Sequence, residues 1–295
     1  MHRSIWLTLM ALSTPWLAYA NDTSVDYSAS YLFTRDFELN RGGEARFNWQ
    51  QVGIGVQHRL DPQRTLGLDI SGGKQKWTFT QPKAWGGRAP WQTLERAGLS
   101  VSYQYASQDG WIYQIAPGIE YAGEADAKRS DALGYGATGF IARAWSPDLL
   151  LGLGISAWSG LENTSAFPFI VVDWRISPSL RLHNPFSAGP VGPAGLELSW
   201  SPLPKLELAT GATIRSYSSR LAANNTVAAG GVLEQTTVPV FVRAGYAFSP
   251  FMRLDAYLGA GLAGKLTLHD AQEREISQEK HDPAPFMAIA VSGTF

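Results

Sequence analysis

Few residues of this 295-residue chain have the types and spacing that catalysis needs. Cysteine is absent, which removes disulfides, thiolate metal sites and sulfur nucleophiles. Beyond residue 20 there are four histidines, His58, His183, His269 and His281. None has a serine two residues away, so only residues from distant segments could form a base–nucleophile pair. His269-Asp270 and His281-Asp282 flank one polar stretch, and a metal there would need further ligands. Gly259-Ala260-Gly261-Leu262-Ala263-Gly264 matches a dinucleotide fingerprint in spelling alone, because no helical pattern follows it. The chain is read as a non-enzyme, with no catalytic residue, cofactor or metal assigned.

Charge is the stronger signal. Asp173, Arg175, Arg181, His183, Glu197, Glu207, Arg215, Arg243, Arg253 and Asp255 fall on the inward phase of alternating stretches in the second half. Facing a water-filled lumen, such a ladder selects solutes, with Arg175, Arg215, Arg243 and Arg253 attracting anions. Facing one another, the same charges pair and brace a wall. The candidate lumen-lining set is Asp173, Arg175, Arg215, Arg243, Arg253 and Asp255.

Strands must carry these charges. Ala97, Leu99, Val101, Tyr103 and Tyr105 alternate with Gly98, Ser100, Ser102 and Gln104. Trp111 to Tyr121, Val238 to Phe248 and Met252 to Leu262 repeat the pattern. Each runs about ten residues, the length of a tilted strand across a bilayer. A soluble sandwich also alternates, but its outward face is the polar one. Pro117, Pro168 and Pro239 fall inside these stretches and mark bulges or strand starts.

Short turns are written at Asp61-Pro62, Asp109-Gly110, Ser146-Pro147, Ser177-Pro178, Ser201-Pro202 and Ser249-Pro250. Longer polar stretches separate them, at 38–45, 81–92, 123–131, 158–165, 187–193, 218–231 and 270–283. Six turns and seven loops make about fourteen strands, with twelve or sixteen as the alternatives of one hairpin either way. Tyr105, Trp111, Trp145, Trp200 and Phe248 stand beside the turns, and Trp77, Phe79, Tyr121 and Trp158 beside the loops. Two interfacial belts of rings are expected from that placement.

The termini agree. Arg3, the apolar stretch Ile5 to Leu12 and Ala18-Tyr19-Ala20 read as a secretory signal, residues 1–20, cut before Asn21. Residues 21–295 then form one domain. Removing the signal leaves 23 basic and 25 acidic residues, a near-neutral balance that argues against nucleic acid as a partner. No later segment has 18 consecutive apolar residues, so no spanning helix is expected. Val25, Tyr27, Ala29, Tyr31 and Phe33 alternate just after the cut, so no plug domain is expected before the first strand. Met287, Ile289, Val291 and Phe295 share one strand face at the other end.

An alternating final strand with a terminal aromatic resembles the closing strand of bacterial outer-membrane β-barrels. The resemblance covers essentially the whole chain after the signal. The aromatic-Ser-Pro turns and Asp173-Trp174-Arg175-Ile176-Ser177-Pro178, leading to Asn184-Pro185, look more closely like an uncharacterised barrel family of unknown function. The resemblance implies an all-β, transmembrane, antiparallel up-and-down barrel in the outer membrane of a Gram-negative bacterium. Its short turns would face the periplasm and its longer loops the exterior. Outer-membrane lipids and the barrel-assembly machinery are the implied partners, with Phe295 as the C-terminal insertion signal. Outer-membrane lipid hydrolases carry a His-x-Ser arrangement that no histidine here matches. A lumen this wide is water-filled, plugged by loops or crossed by large side chains, and 218–231 and 270–283 are long enough to fold inward. The expected function is a passive, porin-like channel for small hydrophilic solutes. The alternative is a non-conducting barrel acting through its exterior loops in adhesion or envelope structure.

Overall fold

In the computed structural model, residues 22–159, 161, 164–185 and 190–295 are described. The expected signal, residues 1–20, and residues 187–189 of the 187–193 loop lie outside them. Among the described residues seventeen strand segments form one sheet. They are β1 (Thr23–Thr34), β2 (Phe37–Glu38), β3 (Glu44–Asp61), β4 (Arg64–Thr80), β5 (Thr93–Ala106), β6 (Trp111–Glu124), β7 (Leu133–Ser146), β8 (Leu149–Ser159) and β9 (Ser165–Ser177). Then follow β10 (Leu180–His183), β11 (Gly195–Leu203), β12 (Leu206–Thr213), β13 (Arg215–Arg220), β14 (Val232–Ser249), β15 (Met252–His269), β16 (Glu275–His281) and β17 (Ala284–Thr294).

Three staves of the wall are each built from two segments. β1 and β2 both pair with β3, β12 and β13 both pair with β14, and β16 and β17 both pair with β15. The wall is therefore a closed, antiparallel, fourteen-strand barrel. Closure is made by β1 against β17, from Asp26↔Thr294 to Thr34↔Phe286. Every ladder donor and acceptor finds a partner only when the sheet closes, which lipid demands.

Alternation sorts side chains as the sequence predicts. Val52, Ile54, Ile70, Ile115, Ile119, Leu153, Val242, Leu258 and Ile289 point outward, and Leu153 is 71 % exposed. So continuous an apolar belt is untenable in water and is what hydrocarbon requires. Pro117 does not break β6: the β5–β6 ladder is interrupted between Ser100↔Gly118 and Tyr103↔Ile115 around it and resumes in the same register.

The turns close as their residues dictate. The Asp61 carboxylate accepts from the Gln63 and Arg64 amides at 2.8 and 2.9 Å. Ser146, Ser177 and Ser249 accept amides two or three residues on. Gly110 takes a φ of 87° that other residues resist. The sixth turn differs from expectation. Ser201-Pro202 stays within β11, and the chain reverses around Pro204-Lys205, where Leu203 faces Leu206. Half of the expected 270–283 loop is strand, because β16 continues the β15 ladder from Gly264↔His281 to His269↔Glu275.

The wall is uneven in height. β3, β14 and β15 have 18 residues each, whereas β10 has four. Eighteen residues span about 60 Å, well beyond a tilted membrane crossing of about ten residues. The tall side projects past the lipid belt at the exterior end.

Candidate functional site

The lumen holds two differently built regions. On the β9–β15 side, Arg243 is buried and its guanidinium is surrounded by carboxylates. It donates to Glu197 through Nε and Nη2, to Glu207 at 2.7 Å and to Asp255 at 2.6 Å. Arg253 bridges Glu207 at 2.7 Å and Asp255 at 2.9 Å. Asp173 takes two hydrogen bonds from Arg181, at 2.5 and 2.8 Å. Charges this deep persist because each is matched and hydrogen-bonded. The cross-strand registers Glu197↔Gly211 and Arg243↔Tyr257, with alternate residues inward, stack them on one face.

His183 sits in the same network. Its Nε2 lies 3.2 Å from Ser199 Oγ and 3.5 Å from a Glu197 oxygen, and its Nδ1 meets the Asn184 carbonyl at 2.7 Å. A serine and a histidine from neighbouring strands thus stand in contact, a pairing that local spacing could not reveal. Ser199 is only 2 % exposed and Glu197 competes for the same ring nitrogen, so the arrangement is wall bracing rather than a nucleophile open to substrate.

The second region closes the exterior end. After β13 the chain turns inward over the lumen. Arg220 bridges to Gly123 of β6, on the opposite wall, in a parallel contact among otherwise antiparallel pairings. Its guanidinium reaches the carbonyls of Asp131, Gly230 and Leu161. Glu124 accepts from the Ala222 amide at 2.9 Å and from Asn225 Nδ2 at 3.0 Å. Asn225 also donates to the Pro90 carbonyl at 2.7 Å. Arg96, paired with Glu120, donates to the Ser218 carbonyl at 2.8 Å. Around this hairpin lies an apolar core of Phe37, Leu39, Trp77, Trp85, Trp91, Leu221, Leu233, Leu266 and Leu268. Each large side chain buried there contributes about 1.5–3 kcal/mol. The indole N–H groups of Trp77, Trp85 and Trp91 are buried without an acceptor among the described residues.

These rings correct the expected outer belt. Trp77 and Phe79 belong to the plug core, and Trp158 faces inward with Ser156, to which its indole donates at 3.0 Å. Of the four loop-side aromatics, Tyr121 keeps the outward phase. The turn-side rings do form a belt: Trp145, Trp200 and Phe248 are exposed, and Arg143 lies over the Trp111 and Trp145 rings.

Beneath the plug lies Arg215, buried but unlike Arg243 in every partner. Its guanidinium carbon lies 4.5 Å from the Trp49 ring centroid and 4.7 Å from that of Tyr217, and Nη1 donates to the Pro190 carbonyl. No carboxylate is within ion-pair reach among the described residues. Trp49, Trp77, Tyr217, Phe286, Gln75 and Gln235 line a cavity of about 60 Å³ beside it.

Of the six candidate lining residues, Arg243, Arg253 and Asp255 share one network, Asp173 pairs beside it, and Arg215 stands apart. Arg175 lies exposed at the short-turn end, 3.4 Å from Asp148. Phe295 is 60 % exposed, stacks on Tyr27 at 5.4 Å and Phe251 at 5.8 Å, and exchanges two backbone hydrogen bonds with Val25. Trp49, Trp91, Tyr217 and Glu124 were not singled out, and the cluster of Trp77, Trp85 and Trp91 around the 81–92 loop was the available sign. No group of three or more potential metal ligands occurs among the described residues.

A closed barrel with an apolar exterior and a charged interior defines an integral outer-membrane β-barrel protein. Solved structures of similar overall shape include an outer-membrane channel from Pseudomonas putida F1, at 11% identity and a TM-score of 0.49, covering 94% of this chain and 97% of that one. The Pseudomonas putida toluene transporter TodX aligns at 8% identity and a TM-score of 0.45, covering 94% and 91%. LpxR from Salmonella typhimurium aligns at 9% identity and a TM-score of 0.38, covering 91% and 99%. No family model and no curated protein matches the chain.

Proposed function

We propose that the protein is an outer-membrane channel for small hydrophilic solutes, closed by its own exterior hairpin. The observation that carries this reading is that the closing element is separate from the wall. Residues 221–231 are tied across the lumen by hydrogen bonds to Glu124 and to the Pro90 carbonyl, while the ladder around them is complete without them. Toward the periplasm the inward positions of β4–β6 include Gly67, Asp69, Ser71, Ser100, Ser102, Gln104 and Gln114, a small and polar lining that carries one acid. Water-filled pores are lined this way.

In this reading Arg243 and Arg253 serve the wall, since their charges are matched, and Arg215 is the cation left to attract an anion. Phe295, outward at the closing seam, suits an insertion signal for the assembly machinery.

The test is single-channel conductance of the refolded mature protein beside a variant whose residues 222–230 are replaced by a short Asn-Gly turn. Brief, rare openings of the parent and steady steps of the variant support the channel. A folded, heat-modifiable variant that never conducts overturns it and leaves the non-conducting barrel acting through its loops.

A further inference from the structure

We propose that the cavity beside Arg215 is the recognition subsite for a small carboxylate with an aromatic body. The inference rests on the channel reading above and names the class of solute.

Three observations point the same way. Arg215 is buried, carries a fixed positive charge, and has no carboxylate partner among the described residues. Its faces are covered by Trp49 and Tyr217 and one N–H is taken by the Pro190 carbonyl, which leaves most of its five donors unspent. Trp77 lines the same cavity, and its buried indole N–H has no acceptor among the described residues. Gln235 donates to the Gln75 carbonyl at 3.2 Å, so the Gln75 amide hydrogens are further donors at the cavity wall.

The cavity therefore has a surplus of donors, a net positive charge and aromatic walls. A carboxylate fits the planar guanidinium fork and accepts from the indole. A flat ring attached to it finds Trp49, Trp77, Tyr217 and Phe286 for offset or edge contacts. A neutral aromatic would leave the arginine unmatched. A bare inorganic anion would lose its hydration to walls that return little.

The cavity, about 60 Å³, is well short of the ~150 Å³ of an apolar cavity that takes benzene, so the carboxylate fits as it stands and the ring is seated as the lining side chains give way.

The experiment is calorimetric titration of the refolded full-length mature protein in detergent with benzoate, benzyl alcohol and acetate. Saturable benzoate binding is expected, at least tenfold tighter than either control. Arg215→Gln should weaken benzoate at least tenfold and Trp77→Phe about threefold, while the outward-facing Lys76→Gln leaves it unchanged. Absence of benzoate binding to the parent, equal binding of benzyl alcohol, or full affinity in Arg215→Gln each overturns the proposal. Should Arg215→Gln fail to fold, the comparison of the three probes on the parent still decides. Binding is read without conduction, so a barrel that binds benzoate yet never conducts keeps the site and loses the channel.

Discussion

Arg243 and Arg215 are both buried arginines inside the same barrel, and the lumen treats them in opposite ways. Arg243 is held by three carboxylates from three strands, and each of those carboxylates depends on it or on Arg253. Arg215 is held by two ring faces and a carbonyl. A charge matched by opposite charge is finished: it has fixed geometry and nothing left to bind. A charge covered by quadrupoles is tolerated but stays electrostatically unmatched. Bracing belongs to the first region and recognition to the second.

The sharpest way to break this contrast is to remove each cation. Arg243→Met leaves the buried Glu197 without its arginine and Glu207 and Asp255 on Arg253 alone, and loss of one partner of a buried ion cluster costs about 3–5 kcal/mol. Arg215→Met removes cation–π contact and a hydrogen bond but strands no acid, so its cost should be about 1–2 kcal/mol. Denaturant unfolding of the two variants in detergent, followed by the heat-modifiability of the barrel band, measures the difference. Equal costs would mean that the two sites are not different in kind.

A second comparison sets plug against wall. Trp91, 1 % exposed in the centre of the exterior core, touches the rings of Trp77, Phe79 and Trp85. Trp91→Ala should cost about 3 kcal/mol or more by cavity formation, confined to the plug. Amide exchange should rise in residues 221–231 while the β14–β15 ladder stays protected. Glu124→Ala is milder. It leaves the Ala222 amide and Asn225 without their shared acceptor, at about 1–3 kcal/mol. The open fraction in conductance records should rise roughly tenfold. An unchanged open fraction would free the hairpin from any latch role for Glu124.

The sequence carried the wall clearly and the plug poorly, for a physical reason. Period-two alternation is imposed on every spanning strand by lipid on one side, so the staves and most turns were legible, down to the serine and aspartate hydrogen bonds that close them. The inward phase of Asp173, Arg243, Arg253 and Asp255 followed from the same alternation. Partners did not, because pairing depends on which strands meet across the lumen. Trp77, Phe79 and Trp158 stood beside loops, where an outer belt and an inner plug leave the same mark in a linear chain. The height of β4 beside β3, β14 and β15 places Trp77 and Phe79 in the exterior core, and strand height is not written in alternation. Ser201-Pro202 misled in the same way, since Pro204 competes for the turn three residues on.

The smallest expected effect lies outside the membrane, at the turn joining β15 to β16. Asp270 accepts the Gln272 amide at 2.8 Å, the Arg274 amide at 3.0 Å and the Arg274 Nε at 2.8 Å. These hydrogen bonds, the Arg274 side chain's first, hold its carboxyl below the usual carboxylate range. A depressed folded value means that the stabilisation is present at neutral pH and is lost as the pH falls through that lowered value. Glu273, at a φ of 64°, is kept in its left-handed conformation by this ring of contacts. Exchange protection of the Arg274 amide should therefore hold at neutral pH and fall below the ordinary carboxylate range. Asp270→Asn should flatten that pH profile while leaving the plug and the Arg243 network untouched. A profile unchanged by the substitution would show that the β15–β16 ladder alone sets the turn. The contrast would then narrow to the lumen, where matched and unmatched charge remain the only distinction.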